Sequence, residues 1–227
     1  MKKIIIILTL VVSMPGLAFT WSELTYIIDS IHADLNPVAA YTPDDEMFVV
    51  WFSAWATHYY DVSFAKVAED GSLSIEPTRI FTDDSVDDRA ATVTVDSQNH
   101  AHIFWRRQTG GVWYTQVDAA DGSYLVAPTQ LIDSNTPGDI FMYAVPDLND
   151  DIHLLYCSNS WDGEQWWDQP FHAVISFDGE LLGYDQAVTD DSDYESVSFD
   201  KGIACDSDGN VHVVYTYFKA SHIEVDY

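Results

Sequence analysis

The chain has 227 residues, 14% of them aromatic, and a formal net charge of −28. That length supports one domain with a sizeable core, and 13 Tyr, 11 Phe and 8 Trp exclude a disordered chain. Such an excess of carboxylates repels nucleic acid and anionic membrane surfaces, so neither is an expected partner.

Residues 1–18, "MKKIIIILTLVVSMPGLA", come first. Lys2 and Lys3 form a positive start, Ile4 to Val12 an apolar core, and Gly16-Leu17-Ala18 a small-x-small cleavage site. This is the pattern of a secretory signal, too short and wrongly flanked for a membrane span. No cysteine follows the site, so no lipid anchor is expected, and the protein is read as secreted or periplasmic. Without the two lysines, seven basic side chains face 37 acidic ones, a charge of −30.

Residues 19–227 are read as one domain built on a repeat. "VDSQNHAHIFW" (95–105), "PDLNDDIHLLY" (146–156) and "CDSDGNVHVVY" (205–215) superpose without gaps, and "TPDDEMFVVW" (42–51) is a weaker copy. Their aromatic ends, Trp51, Trp105, Tyr156 and Tyr215, are 54, 51 and 59 residues apart. "VSFAKVAEDGS" (62–72), "VWYTQVDAADGS" (112–123) and "FHAVISFDGE" (171–180) each run a strand into an Asp-Gly turn, where glycine accepts positive φ. "PTRIFTDDS" (77–85), "PTQLIDS" (128–134) and "DQAVTDDS" (185–192) supply a fourth strand.

Four antiparallel strands per roughly 50 residues is the blade of a β-propeller. The fold class is therefore all-β, a propeller of about four four-stranded blades at 36–82, 89–133, 139–188 and 198–227, with a β-sandwich as runner-up. "TYIIDS" (25–30) matches the fourth strand, so 24–29 is expected to close the ring. Tyr227 aligns with mid-strand Tyr114 and Phe64. Two arrangements account for this: an incomplete larger ring, which is favoured, or four blades closed by the N-terminal strand.

The repeat assigns short turns to one face and longer, varied connections to the other, where function is expected. "DSDGN" (206–210) lies on the short-turn face. Its glycine is out of place for a calcium loop, so it is read as a hairpin. His102, His153 and His212 recur at one position and are read as scaffold histidines bonding across blades. Cys157 and Cys205 fall towards opposite strand ends, which disfavours a disulfide.

The long-connection face carries the candidate ligand-binding residues. They are Trp55, His58 and Tyr59 in the first blade, Arg106 and Arg107 in the second, and Trp161, Asp162, Glu164, Trp166, Trp167 and Asp168 in the third. Flat rings stack on sugar faces while carboxylates take hydroxyl protons, so carbohydrate is the expected ligand. The arginine pair suits a carboxylate or sulfate, or pairs with acidic neighbours. No cofactor is expected; Ca2+ at inter-blade acidic residues such as Asp83 and Asp84 stays open.

The D-x-x-x-N-x-H-x-x-W/Y repeat, the Asp-Gly turns and the signal sequence resemble secreted bacterial propellers of the sialidase-like, BNR-repeat superfamily. The resemblance covers 21–227 at the level of architecture, and "SWDGEQW" (160–166) approaches that superfamily's Asp-box. It implies a glycan-related role. Three functions remain: non-catalytic binding of glycans or a cell-surface partner, which ranks first; a glycan-cleaving hydrolase or lyase using paired carboxylates; and a structural or adhesive part of a larger exported protein. No nucleophile, zinc or phosphate-loop motif separates them.

Overall fold

The computed structural model describes residues 5–6, 25–27, 34–54, 59–81, 86–108, 110–133, 142–161, 166–188, 196–219 and 222–226. At 5–6, 25–26, 158–161, 166–169, 185–187, 196–201, 215–219 and 222–226 the description is of the backbone. Every element among these residues is a β-strand.

β1 (Ile5–Ile6) and β2 (Thr25–Tyr26) form a small antiparallel pair. The first large sheet is β3 (Asp34–Tyr41), β4 (Met47–Ala54), β5 (Tyr60–Val67) and β6 (Leu73–Arg79), hydrogen-bonded in that order. The second is β7 (Asp88–Val95), β8 (His100–Arg107), β9 (Val112–Asp118) and β10 (Tyr124–Ile132). The third is β11 (Met142–Pro146), β12 (Ile152–Trp161), β13 (Trp166–Ile175) and β14 (Leu181–Ala187). A fourth meander, β15 (Ser196–Cys205), β16 (Val211–Lys219) and β17 (His222–Asp226), joins the third through one parallel pairing, Asp168 with Ser196.

Neighbouring sheets meet through their first strands: β3 touches β7, β7 touches β11, and β11 touches β15. This is the β-propeller expected from the repeat, with the first strand of each meander innermost.

Alternation along the strands builds the core. In β4, Phe48, Val50 and Phe52 face the second sheet, against Val93, Ile103 and Trp105. Met47, Val49 and Trp51 point to the other face, where Ile27 joins them. The second and third sheets share Phe104, Tyr114, Ile132, Ile152, Leu154 and Tyr156. Both faces of each middle strand are thus covered, which is why β4, β8 and β12 read as apolar runs. Each buried large side chain stabilises by about 1.5–3 kcal/mol.

The short turns share one construction. Asp96 N–H donates to the His100 carbonyl and Asn99 N–H to the Asp96 carbonyl, and the pattern repeats at 147–151 and 206–210. The fourth turn residue is left-handed in every copy: Asp45 (φ 61°), Asn99 (69°), Asp150 (64°) and Gly209 (83°). Asp and Asn tolerate that region better than other side chains. Gly71, Gly122 and Gly179 of the Asp-Gly turns sit at φ 83°, 82° and 88°.

The recurrent histidine serves this turn. Asp96 accepts from the backbone of Gln98 and His100 through Oδ1, and its Oδ2 lies 3.3 Å from His102 Nε2. Asp147 with His153 (3.7 Å) and Asp206 with His212 (2.8 Å) repeat the arrangement. The expectation that these histidines bond across blades is corrected: each reaches the turn aspartate of its own sheet, six residues earlier. Sheet-to-sheet ties come from other groups. Gln116 Nε2 donates to the Phe177 carbonyl (2.7 Å), and Ser97 Oγ donates to Asp150 Oδ2 (2.6 Å).

Both cysteines are free thiols, Cys157 buried and Cys205 half-buried.

Candidate functional site

The strand ends opposite the short turns converge on a cavity of about 330 Å³ near the axis. Its lining comes from three sheets. The start of β3 gives Leu35, Asn36 and Val38, the β4–β5 ends Phe52 and Tyr60, the start of β7 Arg89 to Thr92, and the start of β11 Met142 and Tyr143.

Two β-bulges shape the wall. In β3, register moves from Leu35 opposite Phe52 to Val38 opposite Val50, so Asn36 and Pro37 share one partner, Trp51. In β7 it moves from Arg89 opposite Arg106 to Thr92 opposite Phe104, so Ala90 and Ala91 share Trp105. Asn36 (φ 50°) and Ala90 (φ 53°) are both left-handed. A bulge bends the strand and re-aims its side chains, and such features concentrate beside binding and catalytic sites. For alanine the left-handed conformation costs roughly 1–2 kcal/mol.

Arg89 is the cation of the cavity. Its Nη2 is 2.7 Å from Asp87 Oδ2, and its guanidinium lies 4.7 Å over the Tyr60 ring. Tyr60 N–H donates to Asp87 Oδ1 at 2.9 Å, and Tyr60 meets Phe52 edge to face at 5.5 Å. Asp87 therefore fixes both halves of the Arg89–Tyr60 pair, while the Arg89 side chain remains 42% exposed.

The carboxylates nearby are structural struts. Asp34 accepts from Ser53 Oγ, which in turn accepts from Trp51 Nε1 at 2.9 Å. Asp88 accepts from Trp105 Nε1 at 3.1 Å and lies 3.5 Å from Arg107. Both aspartates stand 17 residues before their sheet's tryptophan, as Asp139 does before Tyr156. That spacing is the sequence signal that locates the inner strand starts, and so the cavity wall.

The sequence-derived candidates scatter around this end. Tyr59 is exposed at the start of the β5 segment. Arg106 is half-buried opposite Arg89 in the ladder. Arg107 is buried, held by Asp88 and by the rings of Phe81 (4.2 Å) and Trp113 (4.9 Å). That environment braces the sheet. The stretch that holds the third-blade candidates, assigned from sequence to the long-connection face, is strand wherever it is described, at 158–161 and 166–170. β12 and β13 stay paired to the tip, with Trp161 opposite Trp166, Trp167 opposite Ser160 and Asp168 opposite Asn159. Trp55, His58, Asp162 and Glu164 lie outside the described residues. Sequence reasoning missed Asn36, Phe52, Tyr60, Arg89, Met142 and Tyr143. Among the described residues, no three His, Cys, Asp or Glu side chains converge as a metal site.

No family model matches the chain, and no curated protein matches its sequence. Solved structures do match in fold. An endo-arabinase from Bacteroides thetaiotaomicron superposes with a TM-score of 0.55 at 10% identity, covering 91% of this chain and 80% of its own. A protein of unknown function from Dyadobacter fermentans gives 0.62 at 10% identity, covering 82% and 63%. A thermostable family-43 glycoside hydrolase gives 0.52 at 10% identity, covering 91% and 81%. At these identities the likeness is one of fold.

Proposed function

We propose that the protein is an exported carbohydrate-binding propeller that holds a glycan in the axial cavity without cleaving it. One observation carries this reading: the makeup of the cavity wall. Phe52, Tyr60, Met142 and Tyr143 offer apolar and aromatic surface, while Asn36, Thr92 and Arg89 offer polar groups. Aromatic faces with a few fixed polar groups are what a sugar ring requires. Hydrolysis needs an acid and a second carboxylate at a set separation. No carboxylate is among the described lining residues, and Asp34, Asp87 and Asp88 are already engaged by neighbours.

Arg89 orients the ligand in this reading, with Tyr60 as the platform beneath it. The ends of β12 and β13, where Trp161 stands opposite Trp166 in the ladder, are a second stretch to test in this reading. The alternative is a glycan-cleaving enzyme, favoured by the arabinan-directed and family-43 names among the structural neighbours. A shared fold does not carry activity with it.

A glycan array on the mature protein tests the proposal, read beside Arg89→Ala, Tyr60→Ala and a Trp161, Trp166, Trp167 triple alanine. Binding by the wild type, weakened at least roughly tenfold by the cavity substitutions, supports it. Reducing ends released from any polysaccharide by the wild type, and lost in Arg89→Ala, would replace it with the enzyme reading.

A further inference from the structure

His153 on β12 and His172 on β13 stand on adjacent strands of the third sheet, on the face that also carries Leu155 and Cys157. Cys157, two alternations along β12 from His153, packs there against Val213 of β16. The two rings are parallel within 6°, and His153 Nδ1 is 2.9 Å from His172 Nε2. A contact this short needs a donor on one ring and an acceptor on the other. Two protonated rings would set donor against donor and charge against charge.

Asp147 Oδ2 lies 3.7 Å from His153 Nε2, the ring nitrogen that does not face His172. Burial first, and His153 second, hold the His172 pKa below its ordinary value. Other titratable or charged positions on the surrounding elements are few. β11 carries Tyr143 on the same face as Leu155 and His153. β15 places Cys205 and Lys201 in the row of Ile203, which pairs with Val213. β14 has Tyr184 and Asp185 at the register shift beside His172, before Gln186 opposite it.

We propose that the His153–His172 pair is an acid-sensitive latch: it ties β12 to β13 at the base of their hairpin at neutral pH and loosens that pairing when both rings are protonated. The hairpin is the element that bridges the two sheets, through Asp168 and Ser196. Its far end carries Trp161, Trp166 and Trp167. Resting on the glycan reading above, the latch would release a bound glycan in acidic surroundings.

Hydrogen exchange on the full chain at about pH 7 and about pH 5, corrected for intrinsic rates, tests the latch without any ligand. In the wild type, protection of 152–157 and 170–175 falls by about tenfold in acid, while 100–107 is unchanged. His172→Gln, which hydrogen-bonds but does not titrate, abolishes the fall. A flat wild-type profile, or the same fall in the variant, overturns the latch. Should His172→Gln not fold, ring titration of His172 by NMR in the wild type decides: a midpoint below about 6.5 supports the latch, and one at or above it overturns the latch. Loss of glycan affinity in acid adds support. No glycan binding at either pH removes the glycan reading alone, because the exchange experiment still decides the latch.

Discussion

His102 Nε2 and Asp96 Oδ2 lie 3.3 Å apart inside the second sheet, with both side chains fully buried. Asp206 and His212 repeat the pair at 2.8 Å on an exposed turn. The same local chemistry thus sits in two environments within one chain. Asp96→Ala would strand the Gln98 and His100 amides and the His102 ring. Its expected cost is about 2–4 kcal/mol, read from urea unfolding. Asp206→Ala loses a water-accessible turn cap, so its midpoint should move much less. Equal shifts would show that burial does not set the strength of this pair.

Acid should act through the same aspartate. Burial works to raise the Asp96 pKa, but donors from His102 and the His100 backbone outweigh it and hold the group below its ordinary value. A carboxylate depressed in the folded state binds fewer protons there than in the unfolded chain. Its contribution is complete above the unfolded value, near 3.8, and is lost as pH falls through the folded one. Wild-type stability should therefore drop more steeply than that of Asp96→Asn below about pH 4. Parallel slopes in thermal melts across that range would contradict this.

Gly111 is fixed by close approach. At φ +80°, a Cβ there would stand 2.1 Å from the Ile132 carbonyl oxygen, so the second sheet's outer strand would have to move. Gly111→Ala should cost more than about 3 kcal/mol. Gly122→Ala, whose nearest neighbour is the flexible Ile75 Cγ2 at 3.2 Å, should cost less despite φ +82°. Gly183→Ala meets nothing within 4 Å and should be nearly silent. Melting temperatures of the three variants test the order.

Lys66 is 1% exposed, with Nζ 2.8 Å from Asp44 Oδ2 and 2.6 Å from Glu46 Oε2. Burial works against its charge, but the two carboxylates prevail and hold its pKa above the ordinary lysine value. Lys66→Ala loses both stem packing and pairing, an expected cost of about 2–4 kcal/mol. Lys66→Met keeps the stem, and Asp44 and Glu46, 48% and 22% exposed, can rehydrate. It should cost less than half as much. A larger loss for methionine, by chemical denaturation, would put the pairing ahead of the packing.

Much of the architecture was readable because the signals that specify a sheet are local. Alternation gives strands, Asp-Gly gives turns, and a six-residue spacing marks the histidine that meets its turn aspartate. The partner of that histidine was misjudged, since spacing alone does not say whether a side chain turns back along its own hairpin or outward. The extension of β12 and β13 to Trp161 and Trp166 was assigned to the long-connection face. Its polar residues obscured a pairing that tryptophan, a good strand former, supports. The cavity was hidden for another reason. Its wall joins short pieces from three sheets, and Ala90 gives no sequence sign of its left-handed backbone. Only the aspartates 17 residues ahead of the tryptophans hint where the inner strands begin.

The paired bulges carry a consequence for how such a molecule is assembled over generations. Asn36-Pro37 and Ala90-Ala91 occupy the same point of their respective sheets, opposite Trp51 and Trp105. Duplicating one meander therefore duplicates a bulged segment of the cavity wall. A substitution at the exposed Asn36 of one unit then alters the wall by itself, whereas Ala90 and Ala91 are also tied into the packing between sheets.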